Sequence, residues 1–186
     1  MEELLYEMQK YADANNVPII KKEAAEILCR IAAEAKPQRI LEIGTAIGYS
    51  ALLLADSSKD AAIITLEIDD DRIETAEKFI NESPYKNSIT IIKGDAGETL
   101  EKLQDKFDFV FIDAAKGQYI HFLDDVLRLL APEGVLVSDN VLQDGDVARS
   151  RYAIERRDRT IHKRMRDYLY TIKNHPQLET TILPVG

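Results

Sequence analysis

The chain has 186 residues, 45% hydrophobic and 31% charged, with 33 acidic side chains against 24 basic ones and a net charge of −9. That length and apolar fraction suit one self-supporting domain and exclude intrinsic disorder. A single cysteine, Cys29, excludes an internal disulfide and points to a reducing, cytoplasmic setting, while the acidic total speaks against nucleic acid as a partner.

No apolar run approaches the ~20 residues of a membrane helix, and Met1-Glu-Glu-Leu-Leu lacks the features of a signal peptide. Residues 1–16 set Leu4, Leu5, Met8, Tyr11 and Ala12 on one helical face. Lys22 to Ala35 is a second helix, with Ala24, Ile27, Leu28 and Ile31 as its apolar stripe. Arg39 to Ile43 is a short strand running into Gly44-Thr-Ala-Ile-Gly48, and a helix follows through Ser50 to Ala55. The alternation then repeats: strand Ala61–Glu67, helix Asp70–Asn81, strand Ser88–Lys93, helix Glu98–Leu103. Phe107–Asp113 is the next strand and Tyr119–Leu130 its helix. Pro132-Glu-Gly reads as a turn before a fifth strand, Gly134–Asp139. Continuous apolar strands alternating with helices indicate an α/β fold, a doubly wound parallel sheet with helices on both faces. Ligands in such sheets bind beyond the carboxyl ends of the strands. Attention therefore falls on Glu42, Glu67, Asp95, Asp113, Asp139 and Asn140.

Glu42-Ile-Gly44-Thr-Ala-Ile-Gly48 departs from the G-x-G-x-x-G of dinucleotide sites. A carboxylate two residues before the first glycine repels a pyrophosphate but suits a ligand carrying ammonium and sulfonium groups, such as S-adenosylmethionine. Glu67, ending the second strand, stands where a carboxylate accepts from ribose hydroxyls, and Asp95 in Lys93-Gly-Asp-Ala96 where an adenine is held. One glycine pair alone would mean only a tight turn. Three polar strand ends in succession favour a methyltransferase.

Asp113, Asp139 and Asn140 end neighbouring apolar strands. Two carboxylates and an amide, with no Cys or His beside them, form a hard-oxygen set suited to Mg²⁺, Mn²⁺ or Ca²⁺ rather than zinc. Lys116, three residues after Asp113, reaches the same point and suits a general base. Each residue has an ordinary explanation as a cap, a surface lysine or a turn. Their shared place at the binding edge does not.

The strings Ile40-Leu-Glu-Ile-Gly-Thr-Ala-Ile-Gly-Tyr-Ser50, Phe111-Ile-Asp-Ala-Ala-Lys-Gly-Gln-Tyr119 and Ser138-Asp-Asn-Val-Leu142 resemble the cation-dependent O-methyltransferases, the family of catechol and caffeoyl-CoA O-methyltransferases. The resemblance covers about residues 17–145. It implies that Asp113, Asp139 and Asn140 hold the metal and that Lys116 is the base. It also implies that Glu42, Gly44, Ser50, Glu67, Asp95, Ala96 and Asp113 line the S-adenosylmethionine site, with Val17 and Ile19 closing over its methionine end. Relatives are commonly homodimers. They usually have a further helix before Met1 and a last antiparallel strand after Gly186, so that strand reads as truncated. The expected layout is one domain over 1–186: N-terminal helices 1–35, a cofactor and metal core 37–145, and a basic helix 149–173.

The mechanism asks for an acceptor with two adjacent oxygens, met by a catechol and equally by 5-hydroxyuridine. Between Arg149 and Arg166 eight basic residues face two acidic ones, a local charge of +6 against −15 for the rest of the chain. Helical spacing sets Arg156, Arg159, Lys163 and Arg166 on one face and Ile154, Ile161, Met165, Tyr168 and Ile172 on the other. With Arg149 and Arg151 the basic side reads as a phosphate-binding stripe for a structured RNA. Val17-Pro-Ile, Ile112 to Tyr119, the Arg-rich helix and Asn174-His-Pro are similar to bacterial tRNA 5-hydroxyuridine methyltransferases, which implies a wobble uridine in the tRNA anticodon as acceptor. A small catechol-like or caffeoyl-type acceptor would not need the stripe, and a non-catalytic S-adenosylmethionine- or RNA-binding module would not need Lys116. His121, His162 and His175 lack metal-ligand spacing and read as structural or surface residues.

Overall fold

A computed structural model of the chain describes residues 1–185, with the side chains of Asp144 and Arg151 left aside. Its elements are α1 (Glu2–Asn15), α2 (Lys22–Ala35), β1 (Arg39–Ile43), α3 (Tyr49–Ser57), β2 (Ala62–Glu67), α4 (Asp70–Glu82), β3 (Ile89–Lys93) and α5 (Ala96–Lys102). There follow β4 (Phe107–Ile112), α6 (Tyr119–Leu129), β5 (Leu130–Ser138), two 3₁₀ turns (Gln143–Ala148 and Arg151–Ala153) and α7 (Arg159–Asn174). The five strands pair in parallel in the order β3-β2-β1-β4-β5. The chain winds outward from β1 to β3, then returns to place β4 on the other side of β1. This reversal opens a crevice beyond the carboxyl ends of β1 and β4.

Strand alternation divides the core between the two faces of the sheet. Phe109 and Phe111 pack with Met8, Leu28 and Leu52 on the side of α1 to α4. Leu41, Ile43, Val110 and Ile112 pack with Tyr119, Phe122, Met165 and Tyr168 on the side of α5 to α7. Both faces of β1 and β4 are therefore buried, which is why these strands read as unbroken apolar runs.

Two expectations need correction. The fifth strand starts at Leu130, not Gly134: Phe107 pairs with Leu130 and Phe109 with Val135, so the residues between bulge out of the ladder. Glu133 takes a left-handed φ of 61° there, so the turn-like Pro-Glu-Gly lies inside the strand rather than before it. The basic segment is not one helix over 149–173 either. Arg149 and Arg156 precede α7, which begins at Arg159, and Ile154 is buried as an anchor before it. Within α7 the inward face is His162, Met165, Tyr168 and Ile172, whereas Ile161 is 40% exposed. Arg159, Lys163 and Arg166 thus share a face of α7 as expected, but Arg156 lies before the helix and is not on that face.

Candidate active site

The cleft at the reversal point measures ≈ 1210 Å³. Gly44, Glu67, Asp95, Ala96, Asp113, Lys116, Asp139 and Asn140 all contribute to its wall, together with Ile19. Glu42 and Ser50 are buried behind that wall, and Val17 is half-buried beside it. A second groove of ≈ 1310 Å³ runs along β5 between α2 and α7, and the two adjoin at Asp139 and Asn140.

The first turn is built for close approach. Gly44 has φ 106°, and a Cβ there would stand 2.0 Å from the Asp113 carbonyl oxygen. No other residue type fits against the end of β4 so closely. The amides of Gly44 and Thr45 both donate to Leu66 O at 3.1 Å, and Asp113 N donates to Ile43 O at 3.0 Å. Three strand ends are thereby tied into one floor.

Glu67 does more than the sequence suggests. Its Oε2 accepts from Ala46 N at 2.9 Å, and its Oε1 from Ile68 N and Asp69 N at 2.9 and 3.1 Å. A carboxylate has about four acceptor sites, so Glu67 braces the two loops and keeps capacity for about one further donor, such as a ribose hydroxyl. Asp95 caps α5 through Glu98 N at 3.1 Å.

Glu42 is fully buried. Its Oε2 accepts from Thr65 Oγ1 at 2.5 Å, while Oε1 has no partner of proper hydrogen-bond geometry. Burial pushes its carboxyl up to about 7, the Ser50 and Thr65 hydroxyls pull it back, and the charges of Asp113 and Glu67 raise it further. An orphaned acceptor of this kind is costly unless a cationic or donor group meets it.

Asp113 is pushed up to about 6 by burial and by the charge of Asp139, against the pull of Lys116. Asp139 is raised by burial and drawn back by the Asn140 amide, Lys116 and Lys21. Two carboxylates that repel each other across a cleft, with an amide beside them, fit a hard divalent cation, which would relieve that repulsion. No cluster of three His, Cys, Asp or Glu side chains among the described residues offers an alternative centre. Lys21, which lines the same cleft as Lys116, escaped the sequence reading because it precedes α2 and meets Asp139 only in the fold.

The basic segment borders this cleft, since Ile154, Asp158, Ile161 and His162 line it. Many of its cations are turned to internal tasks. Arg149 pairs with Asp146 at 2.9 Å, Lys163 with Asp167 at 2.5 Å, and Arg157 with Glu155 and Asp158 at 3.1 and 3.4 Å. Arg159 donates to Ile154 O at 3.1 Å, and Arg166 to the carbonyls of Val147 and Arg149 at 3.3 and 3.4 Å. Arg156 is exposed, and the side chain of Arg151 lies outside the described residues. Of the histidines, His162 is buried with Nε2 3.1 Å from Asp146 O, whereas His121 is exposed on the cleft.

Comparison with known proteins identifies the family. The family model described as O-methyltransferase matches residues 1–186. A catechol O-methyltransferase of Niastella koreensis is 33% identical over 133 residues, covering 69% of this chain and 60% of that protein. Among solved structures, a candidate caffeoyl-CoA O-methyltransferase from Staphylococcus aureus superposes with a TM-score of 0.89 at 32% identity, covering 97% of this chain and 87% of that one. An O-methyltransferase from Bacillus cereus in complex with SAH gives 0.83 at 25% identity, over 94% and 80% of the two chains. No helix among the described residues is long and apolar enough to cross a membrane. The matching fold, the whole-length family match and the carboxylates gathered at β1, β4 and β5 place this chain in the O-methyltransferase family of S-adenosylmethionine-dependent enzymes.

Proposed function

We propose that the chain transfers the methyl group of S-adenosylmethionine to a hydroxyl that has a second oxygen beside it, with a divalent cation such as Mg²⁺ held by Asp113, Asp139 and Asn140. The observation that carries this reading is the convergence of those three oxygen donors with Lys116 on one cleft. A cation bound there supplies Lewis-acid chemistry, lowering the pKa of a chelated hydroxyl. Lys116 accepts the hydroxyl proton, and the oxygen then attacks the methyl carbon in line as its bond to sulfur breaks. Glu67 offers its remaining acceptor site to a hydroxyl, while Glu42, buried behind the wall with its Oε1 orphaned, places a carboxylate beneath the positive end of the donor.

The named relatives support a small catechol-like or caffeoyl-type acceptor. A second reading rests on a separate observation, the segment of charge +6 bordering the cleft of an otherwise acidic body. It favours an RNA acceptor, its phosphates met by exposed cations such as Arg156; the resemblance to tRNA 5-hydroxyuridine methyltransferases then names 5-hydroxyuridine at the wobble position, methylated to 5-methoxyuridine. Purified protein with Mg²⁺ and methyl-labelled donor, offered catechols and tRNA carrying 5-hydroxyuridine, separates the two. In the tRNA reading Arg156→Glu abolishes labelling of tRNA and a deletion strain lacks 5-methoxyuridine by mass spectrometry. Unchanged 5-methoxyuridine sinks it. In the small-acceptor reading Arg156→Glu leaves turnover of catechol intact. Labelling of neither acceptor, with Lys116→Ala indistinguishable from wild type, sinks both.

A further inference from the structure

The backbone ladder between β4 and β5 ends just where the metal-site side chains begin. Its last rung is Asp139 N to Ile112 O at 2.9 Å, after which Asn140 turns away with a left-handed φ of 51°. Asp113 and Asp139 sit one residue beyond the ends of their strands and repel each other. Something other than the ladder has to keep the two carboxylates facing one point.

The phenol of Tyr119 is placed to do this. Tyr119 opens α6 and is 0% exposed. Its hydroxyl lies 3.2 Å from the carbonyl oxygen of Ile112 and 3.1 Å from that of Asp139, sharing its single proton between them. One acceptor belongs to the last residue of β4, the other to the proposed metal ligand Asp139 itself. The ring is held edge-on against Tyr168, with centroids 5.6 Å apart and an interplanar angle of 85°. Tyr168 in turn shares a hydrogen bond with Ser138 Oγ at 2.6 Å, through the side chain rather than the backbone. The phenol also closes the segment Asp113 to Tyr119, which carries Lys116, back onto the strand that starts it.

We propose that Tyr119 is a positioning residue for the metal site: its hydroxyl acts as an added rung across the ends of β4 and β5, fixing the separation of Asp113 and Asp139. The inference rests on the metal-dependent reading above, and goes beyond it in assigning the geometry of the carboxylates to a residue that would touch neither cation nor substrate. Outer partners of this kind typically account for 10–100-fold in metal affinity.

The test is Mn²⁺ binding to the full chain, read by electron paramagnetic resonance without donor or acceptor. Tyr119→Phe keeps the packed ring and removes the donor, and should bind Mn²⁺ about tenfold more weakly or worse. Tyr168→Phe, which frees a side-chain hydroxyl and no ligand carbonyl, should stay near wild type. A second readout needs no metal: amide hydrogen exchange over Asp139–Asn140 should quicken in Tyr119→Phe. Wild-type Mn²⁺ affinity in Tyr119→Phe, or equal weakening in both tyrosine variants, overturns the clamp. Mn²⁺ binding that survives Asp139→Ala overturns the metal site, and the clamp with it.

Discussion

Glu42 carries an unusual burden for a single side chain. Its folded carboxyl titrates at about 7, well above the ordinary 4.5 it keeps when unfolded. Between those values the folded state holds a proton that the unfolded state has released. The contribution of Glu42 to stability therefore falls as pH rises from about 5 to about 8, and levels off above. Thermal melts of Glu42→Gln in this window should show a flatter pH dependence than wild type and a higher Tm near pH 8, together with weaker binding of S-adenosylmethionine. A steeper slope in the variant would contradict the assignment. Gly44 makes the opposite kind of demand, for space rather than charge. Gly44→Ala forces a Cβ into the Asp113 carbonyl at a positive φ, and urea unfolding should show a loss of about 3 kcal/mol or more. Both roles are partly visible in Glu42-Ile-Gly44: the spacing announces a ligand turn. What the string does not reveal is that Glu67, 23 residues past Gly44, ties that turn through Ala46 N to its own loop, where it accepts from Ile68 N and Asp69 N. Non-local hydrogen bonds leave no periodic trace.

At the scale of elements, β1 and β4 are legible because burial on both faces of a parallel sheet leaves continuous apolar runs, and α2 and α6 because they carry clean amphipathic stripes. The basic segment misleads for a physical reason. Its charges suggest one long helix, but the buried Ile154 and the bond from Arg159 to Ile154 O fold the chain back before α7 begins. The inward place expected of Ile161 goes to His162, whose ring nitrogen finds the Asp146 carbonyl. The same helix reaches the loop that carries Lys116. Arg164 Nη1 donates to Gly117 O at 3.3 Å, one residue past Lys116. Arg164→Leu should lower kcat by about tenfold with little change in donor KM, and Arg164→Lys should restore part of the loss. A fall in donor binding instead would mean that α7 supports the cofactor floor rather than the base.

For the whole molecule, charge is a matter of distribution. The total of −9 argues against a polyanionic partner, whereas the local +6 beside the cleft argues for one. The fold shows that part of this positive charge stitches the segment to itself through Asp146, Asp158 and Asp167. Any binding to tRNA should then weaken steeply between low and moderate salt, while turnover of a neutral catechol should not. A filter-binding series at rising salt, run beside a catechol assay, distinguishes these.

The order of the strands has a consequence in time as well as space. Ile40 pairs with Phe109, so the floor of the cleft joins parts of the chain far apart in sequence. Ladders of that span form late, because the closure entropy of the intervening chain is lost before their contacts repay it. The β1–β2 half assembles from near neighbours, but it is half a vessel. Competence to hold the donor should therefore emerge only with the slowest phase of refolding, after most helical signal has returned. Stopped-flow circular dichroism beside fluorescence of a bound donor analogue would reveal that lag. Donor capture coincident with helix recovery would mean that the first half of the sheet is already a vessel, and that maturation of the enzyme does not wait on its longest reach.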